Sequence, residues 1–131
     1  RGSTVASIDE AYLFLSNLTT IEYIRNAMKR VRKKNSAVLL ASQNIDDFLA
    51  PDVREYTKPL FAIPANRFLF YPGHVEQRDF CDALSISPTE YALIDHPERG
   101  VCLYHCGNAR YLLQVQAPEF QAKLFGDAGG R

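Results

Sequence analysis

Thr4-Val5-Ala6-Ser7-Ile8-Asp9-Glu10, followed further on by Ala37-Val38-Leu39-Leu40-Ala41-Ser42-Gln43-Asn44, decides the fold class. Each stretch opens as an apolar run too short for a helix and closes in polar side chains, as a buried parallel strand does where it meets the open edge of a sheet. Between them Thr19-x-x-Glu22 has the form of a capping box, and Ile21, Ile24, Met28 and Val31 recur at helical spacing, which predicts an amphipathic helix to about Lys34. Asn35-Ser36 breaks it. Strand, helix and strand in that order predict a right-handed parallel crossover, so Asp9-Glu10 and Gln43 should end neighbouring strands and face one crevice.

Downstream the signals change. Asp46 to Lys58 reads as helix and loop over the surface, and Asn66 to Tyr71 is a third strand candidate closed by Pro72-Gly73. Val75 to Leu84 reads as helix. Ser87-Pro88-Thr89-Glu90 starts another, with serine at the cap, proline in the first turn and glutamate at the third position, running to about Asp95. Val101 to His105 and Arg110 to Gln116 form a hairpin in which Gly107-Asn108 is expected to supply positive φ angles. A last short helix runs from Pro118 to Gly126. The sequence holds no internal repeat and no low-complexity segment.

The chain has 131 residues, enough for one core, and is expected to form a single unit over 1–131. A hydrophobic content of 47% with 23% charged residues excludes a disordered tail. Fifteen basic and fifteen acidic residues cancel, which argues against a protein that grips nucleic acid over its whole surface. No apolar run reaches the roughly 18 residues of a membrane span, so a cytoplasmic protein is expected. Cys81, Cys102 and Cys106 show no disulfide-framework spacing and fit a reducing compartment. Cys102, His105 and Cys106, with His96 nearby, admit a zinc site. The simpler alternative is two cysteines on one face of a strand.

The chemistry concentrates at the strand ends. A rigid strand ending in two carboxylates suits a nucleotide hydrolase, with Asp9 holding Mg²⁺ through water and Glu10 polarising the attacking water. The plainer alternative is that both acids are loop or cap residues. Gln43 could sense a γ-phosphate or orient water, or with Ser42 and Asn44 merely cap the next helix. Arg25, Lys29, Arg30, Arg32, Lys33 and Lys34 crowd one helix. They fit a solvated face, contacts with a DNA backbone, or an arginine finger for a neighbouring subunit's phosphate, with Arg32 the best candidate.

Ser7-Ile8-Asp9-Glu10-Ala11-Tyr12, Arg30-Val31-Arg32-Lys33-Lys34-Asn35 and Leu39-Leu40-Ala41-Ser42-Gln43-Asn44 together resemble the end of the motor domain in the VirB-type ATPases of conjugation and type IV secretion. The resemblance continues through Leu84 to Glu90, the glycine hairpin and Phe125 to Arg131, where it looks like the C-terminus of such motors from Gram-positive conjugative elements. Tyr12 stands where the family often has tryptophan, and Ser42 where it often has threonine.

The resemblance implies an α/β fold: the C-terminal portion of a RecA-like P-loop NTPase domain, with parallel strands, helical crossovers and a small antiparallel hairpin. It matches Asp9 and Glu10 to the Walker B acids and Gln43 to the strand-end glutamine, and places Arg32 where related DNA translocases carry a candidate finger. Arg110 is a second candidate to act in trans. It further implies ATP and Mg²⁺ as ligands of a longer parent protein, hexameric when intact and peripheral at the inner face of the cell membrane. Its partners would be copies of itself, channel and coupling proteins, and DNA as a further candidate.

No G-x-x-x-x-G-K-[ST] occurs in the sequence, so the chain is expected to be a portion of that parent, cut near Thr4 and unable alone to hydrolyse ATP. An FtsK- or HerA-like DNA translocase shares the strand-end residues. A non-catalytic interaction module would use the basic helix for docking and treat Asp9-Glu10 as structural.

Overall fold

The structure, a computed structural model, describes residues 2–15, 17–43 and 45–126. Asn44 and the tail 127–131, which carried part of the resemblance, lie outside them. Strand β1 (Thr4–Ile8) leads through a 3-10 turn (Ala11–Phe14) into helix α1 (Leu18–Arg30), whose last turn tightens to 3-10 geometry over Val31–Lys34. Strand β2 (Ser36–Leu40) then pairs parallel with β1, from Thr4 opposite Ser36 to Ile8 opposite Leu40. The predicted crossover is present.

The start of α1 differs from expectation. Asn17, not Thr19, caps the helix: its side-chain oxygen accepts from the Thr19 amide at 2.9 Å, and Thr20 and Ile21 donate to its carbonyl. Asparagine at this position satisfies an orphan donor as well as threonine would, and the cap follows from where the chain leaves the preceding turn. Ile21 and Ile24 bury the apolar stripe against Ala11, Leu15, Phe48 and Leu60. Lys29, Arg30, Arg32, Lys33 and Lys34 stay on the outside, and Arg25 is half-buried.

Two short helices, α2 (Asp46–Leu49) and α3 (Arg54–Ala62), carry Phe48, Leu60 and Phe61 into the interior. Thr57 is fully buried, and its hydroxyl donates to the Phe48 carbonyl at 2.5 Å, which ties α3 to α2. Phe61 touches both core clusters, the one under α1 and a second built from Val75, Phe80, Leu84, Ile86, Ile94 and Leu103. Fully burying side chains such as Leu84, Ile94 and Leu103 stabilises by about 1.5–3 kcal/mol each.

Strand β3 (Asn66–Leu69) precedes α4 (Gln77–Leu84), α5 (Pro88–Tyr91), β4 (Val101–Cys106), β5 (Ala109–Gln114) and α6 (Glu119–Phe125). The expected hairpin is part of a larger sheet, in which β3 pairs antiparallel with β4 and the order is β3-β4-β5. Helix α5 has the predicted capping box, but it is one turn long; Leu93 and Ile94 continue it as i→i+3 turns that bury Ile94. In the hairpin turn Gly107 alone has positive φ, at 57°, and Asn108 does not share it. A positive φ at the first central position only is the pattern of a II′ turn, which matches strand twist as well as the expected pair would. At the hairpin's base Gly100, with φ 78°, lies so close to Val115 that an added Cβ would stand 2.3 Å from its carbonyl oxygen. Only glycine fits there.

Candidate functional site

Parallel pairing carries one step past the strands: the Ala41 amide donates to the Ile8 carbonyl and the Ala11 amide to the Ala41 carbonyl, each at 2.9 Å. Asp9 and Glu10 are therefore held at the end of β1, directly beside Ser42 and Gln43 at the end of β2. Glu10 adopts φ 50°, ψ 47°, at the head of the 3-10 turn. A left-handed conformation costs a residue with a Cβ on the order of 1 kcal/mol, and such strain collects at functional sites. The Asp9 carboxylate helps hold it by accepting from the Glu10 amide at 2.9 Å.

The bend brings the Glu10 carboxylate to the neighbouring strand end, where the Gln43 side-chain amide donates to it at 2.5 Å. Two residues separated by the whole crossover thus meet. Glu10 is half-buried, while Asp9 and Gln43 are exposed. The hydrogen bond uses one Glu10 oxygen and leaves the other, together with the Gln43 carbonyl oxygen, able to accept from water. Asp9, with one oxygen on a backbone amide, has no hydrogen-bond partner for the other among the described residues. These oxygens suit a hard cation held by one or two carboxylates with water and phosphate completing its shell, which is how Mg²⁺ binds at phosphoryl-transfer sites. Among the described residues no group of three or more His, Cys, Asp or Glu is placed to hold a metal ion, so an all-protein cage is not what these residues build.

Arg32 is elsewhere. It lies in the turn Val31–Lys34 that feeds the start of β2, and the parallel pairing puts strand starts and strand ends at opposite edges. A five-residue strand spans roughly 16 Å, so the Arg32 backbone stands about that far from the Glu10–Gln43 pair in the same chain. Arg32, Lys33 and Lys34 are exposed, and no acidic partner lies within salt-bridge distance of them among the described residues. Arg110 is engaged: its guanidinium lies 3.4 Å from Glu90 and donates to the Gly107 and Ala109 carbonyls.

A polar network that the sequence did not reveal sits under the antiparallel sheet. Arg67, His105 and Arg110 are cross-strand neighbours on one row of β3, β4 and β5. Arg67 donates to the Leu84 carbonyl at 2.8 Å and to Nδ1 of the buried His105 at 2.9 Å. That bond makes Nδ1 the acceptor and leaves Nε2 to carry the proton, 3.7 Å from Glu90. Burial first, then the nearby Arg110 and Arg67 charges, hold His105 below its ordinary value and keep the ring neutral. The Ser87 backbone bond chiefly holds Glu90 below the usual carboxylate range. The only forward signal was Ser87-x-x-Glu90, which marked a cap and not its second role.

Strand alternation places Cys102 and Cys106 on one face of β4 and His105 on the other, which separates the residues of the considered zinc site. Cys81 and Cys102 are buried, and Cys106 is exposed. His96 lies on the loop before β4, 2.8 Å from Asp95.

Two strand ends joined by a carboxylate–amide pair after a parallel crossover, with a separate antiparallel sheet, define a mixed α/β unit. Among solved structures the chain is similar to VirB4 of Thermoanaerobacter pseudethanolicus, with a TM-score of 0.84 and 29% identity over 94% of this chain and 34% of that one. The likeness read from the strand ends therefore extends through the three-dimensional structure: the chain has the fold of a VirB4-type motor segment. It spans about a third of the length of that structure. No family model matches the chain, and no curated protein does.

Proposed function

We propose that the chain is the Walker B-bearing segment of a VirB4-like ATPase that powers type IV secretion and conjugative transfer. The observation that carries this reading is the Gln43–Glu10 hydrogen bond across two parallel strand ends, beside Asp9. The 29% identity to VirB4 over nearly the whole chain favours a secretion motor over an FtsK- or HerA-like translocase. A docking module gives no reason for a strained Glu10 to meet Gln43.

In the intact motor, Asp9 would hold Mg²⁺ through water, and the ion would neutralise charge developing on the phosphates. The free Glu10 oxygen accepts a proton from the attacking water as its oxygen bonds to the γ-phosphorus, and the bridging oxygen departs with its electron pair on ADP. Gln43 orients Glu10 in the resting state, and its amide is placed to reach a γ-phosphate once ATP arrives. The phosphate loop comes from the rest of the parent protein. Arg32, at the opposite strand edge, serves only across a subunit boundary, which suits a ring of identical subunits, hexameric as in the family it resembles. Channel and coupling proteins at the inner face of the cell membrane are the remaining partners, and DNA is a candidate for the basic helix. Among the described residues no helix is long and apolar enough to cross a membrane.

The direct test is Gln43→Ala in the intact protein, with hydrolysis and nucleotide binding measured separately. Turnover falls on the order of 10²-fold while ATP still binds; unchanged turnover would remove Gln43 from the site. Arg32→Ala lowers turnover only of the assembled oligomer, and turnover equal to wild type would end the finger role.

A further inference from the structure

Gln43 holds Glu10, yet the sheet does little to hold Gln43. Backbone pairing between the two strand ends stops at Ala41, whose amide donates to Ile8 and whose carbonyl accepts from Ala11. Among the described residues Ser42 and Gln43 make no backbone hydrogen bond. Their course is set by two anchors, Ala41 in the sheet and helix α2, which starts at Asp46.

Helix α2 cannot serve as an anchor unaided. It is four residues long with no side-chain cap, and a lone helical turn has no stability of its own in water. Its hold comes from outside. Phe48 is buried in one core cluster, and Ile45 and Leu49 pack against the other. The Phe48 carbonyl, which has no partner within so short a helix, accepts from the Thr57 hydroxyl. That hydroxyl has one proton. The Phe48 oxygen lies at 2.5 Å, against 3.2 Å for the Arg54 and 3.3 Å for the Val53 carbonyl, so the proton goes across to α2 and not back along α3. Thr57 is wholly buried, so valine would fill its space but leave the Phe48 carbonyl without its donor.

We propose that Thr57 is a positioning residue for hydrolysis: by fixing the Phe48 carbonyl it fixes α2, and with it the stretch of chain from which Gln43 reaches Glu10. The inference rests on the role given to Gln43 above. It extends the machinery of the strand ends into α3, to a residue none of whose hydrogen bonds reaches Glu10 or Gln43.

The test is ATP hydrolysis by the intact protein carrying Thr57→Val, Thr57→Ser, Gln43→Ala or the Thr57→Val and Gln43→Ala pair, with kcat and KM separated. Thr57→Val should lower kcat roughly 10-fold with KM little changed, inside the roughly 10²-fold that a displacement of about 1 Å can cost. Thr57→Ser keeps the donor and should return kcat to within about twofold of the wild type. Added to Gln43→Ala, Thr57→Val should have no further effect, because it acts through Gln43. An equal fractional loss in both backgrounds would make Thr57 a general stabiliser, and wild-type kcat in Thr57→Val would leave it no role; either result overturns the proposal, as does a Thr57→Ser variant as slow as Thr57→Val. Wild-type turnover in Gln43→Ala would remove the hydrolytic role of Gln43 and this inference with it, whereas slow Gln43→Ala beside fast Thr57→Val would remove this inference alone. Should Thr57→Val fail to fold, Thr57→Cys, whose thiol is a weak donor, takes its place in the same cycle with the same outcomes.

Discussion

The two sheets of this chain solve the same problem in opposite ways. The parallel pair β1-β2 is nearly bare: Val5 is 70% exposed and Leu39 55%, although parallel strands are ordinarily covered on both faces. The antiparallel sheet β3-β4-β5 closes over its own core, with Cys102, Leu103 and His105 almost wholly buried and the Arg67–His105–Glu90–Arg110 network beneath. The first sheet leaves much of its apolar surface uncovered. The second buries its own apolar side chains.

The largest expected effect separates the sheets directly. Leu103→Ala should destabilise the chain by about 2–5 kcal/mol through the cavity it leaves, whereas Leu39→Ala should change denaturant stability by no more than about 0.5 kcal/mol, as exposed sites do. The same Leu39→Ala change made in the intact motor sharpens the contrast. A cost there approaching that of Leu103 would show that the parent covers the parallel sheet, and equal costs in this chain would break the comparison.

A smaller effect should appear with pH. Folded His105 resists protonation, so below its ordinary value of 6.5 the unfolded chain binds more protons than the folded one. Stability from this group is present above that pH and is lost as pH falls. Glu90, also held low, adds loss of the same sign below about 4.5. Melting temperature should therefore drop between pH 7 and 5.5 in the wild type, and His105→Gln should flatten that step. A wild-type curve without the step would contradict the neutral, buried state of His105.

The contrast also explains what the sequence disclosed. Parallel strands announce themselves as unbroken apolar runs, and their polar ends fall where the runs stop, so β1, β2, Asp9, Glu10 and Gln43 were legible. What joins Glu10 to Gln43 was not, because the left-handed turn at Glu10 shows no glycine or asparagine to mark it. Asn17 escaped notice as the cap of α1 because the Thr19-x-x-Glu22 pattern competed with it. The partnership of β3 with β4 was hidden by the distance along the chain between Phe68 and Tyr104. His105 in a hairpin strand gave no sign of Arg67 or Glu90, since cross-strand rows and helix caps meet only after folding.

The central claim is that Glu10, presented by Gln43 at the strand ends, acts on the water that attacks ATP. The measurement that tests it most directly is Mg²⁺-dependent ATP hydrolysis by the intact parent protein beside its Glu10→Gln variant, with ATP binding followed in both. Glu10→Gln keeps the shape and removes the base, so turnover should fall by about 10²-fold or more while binding is retained. Equal turnover in the two proteins would contradict the claim.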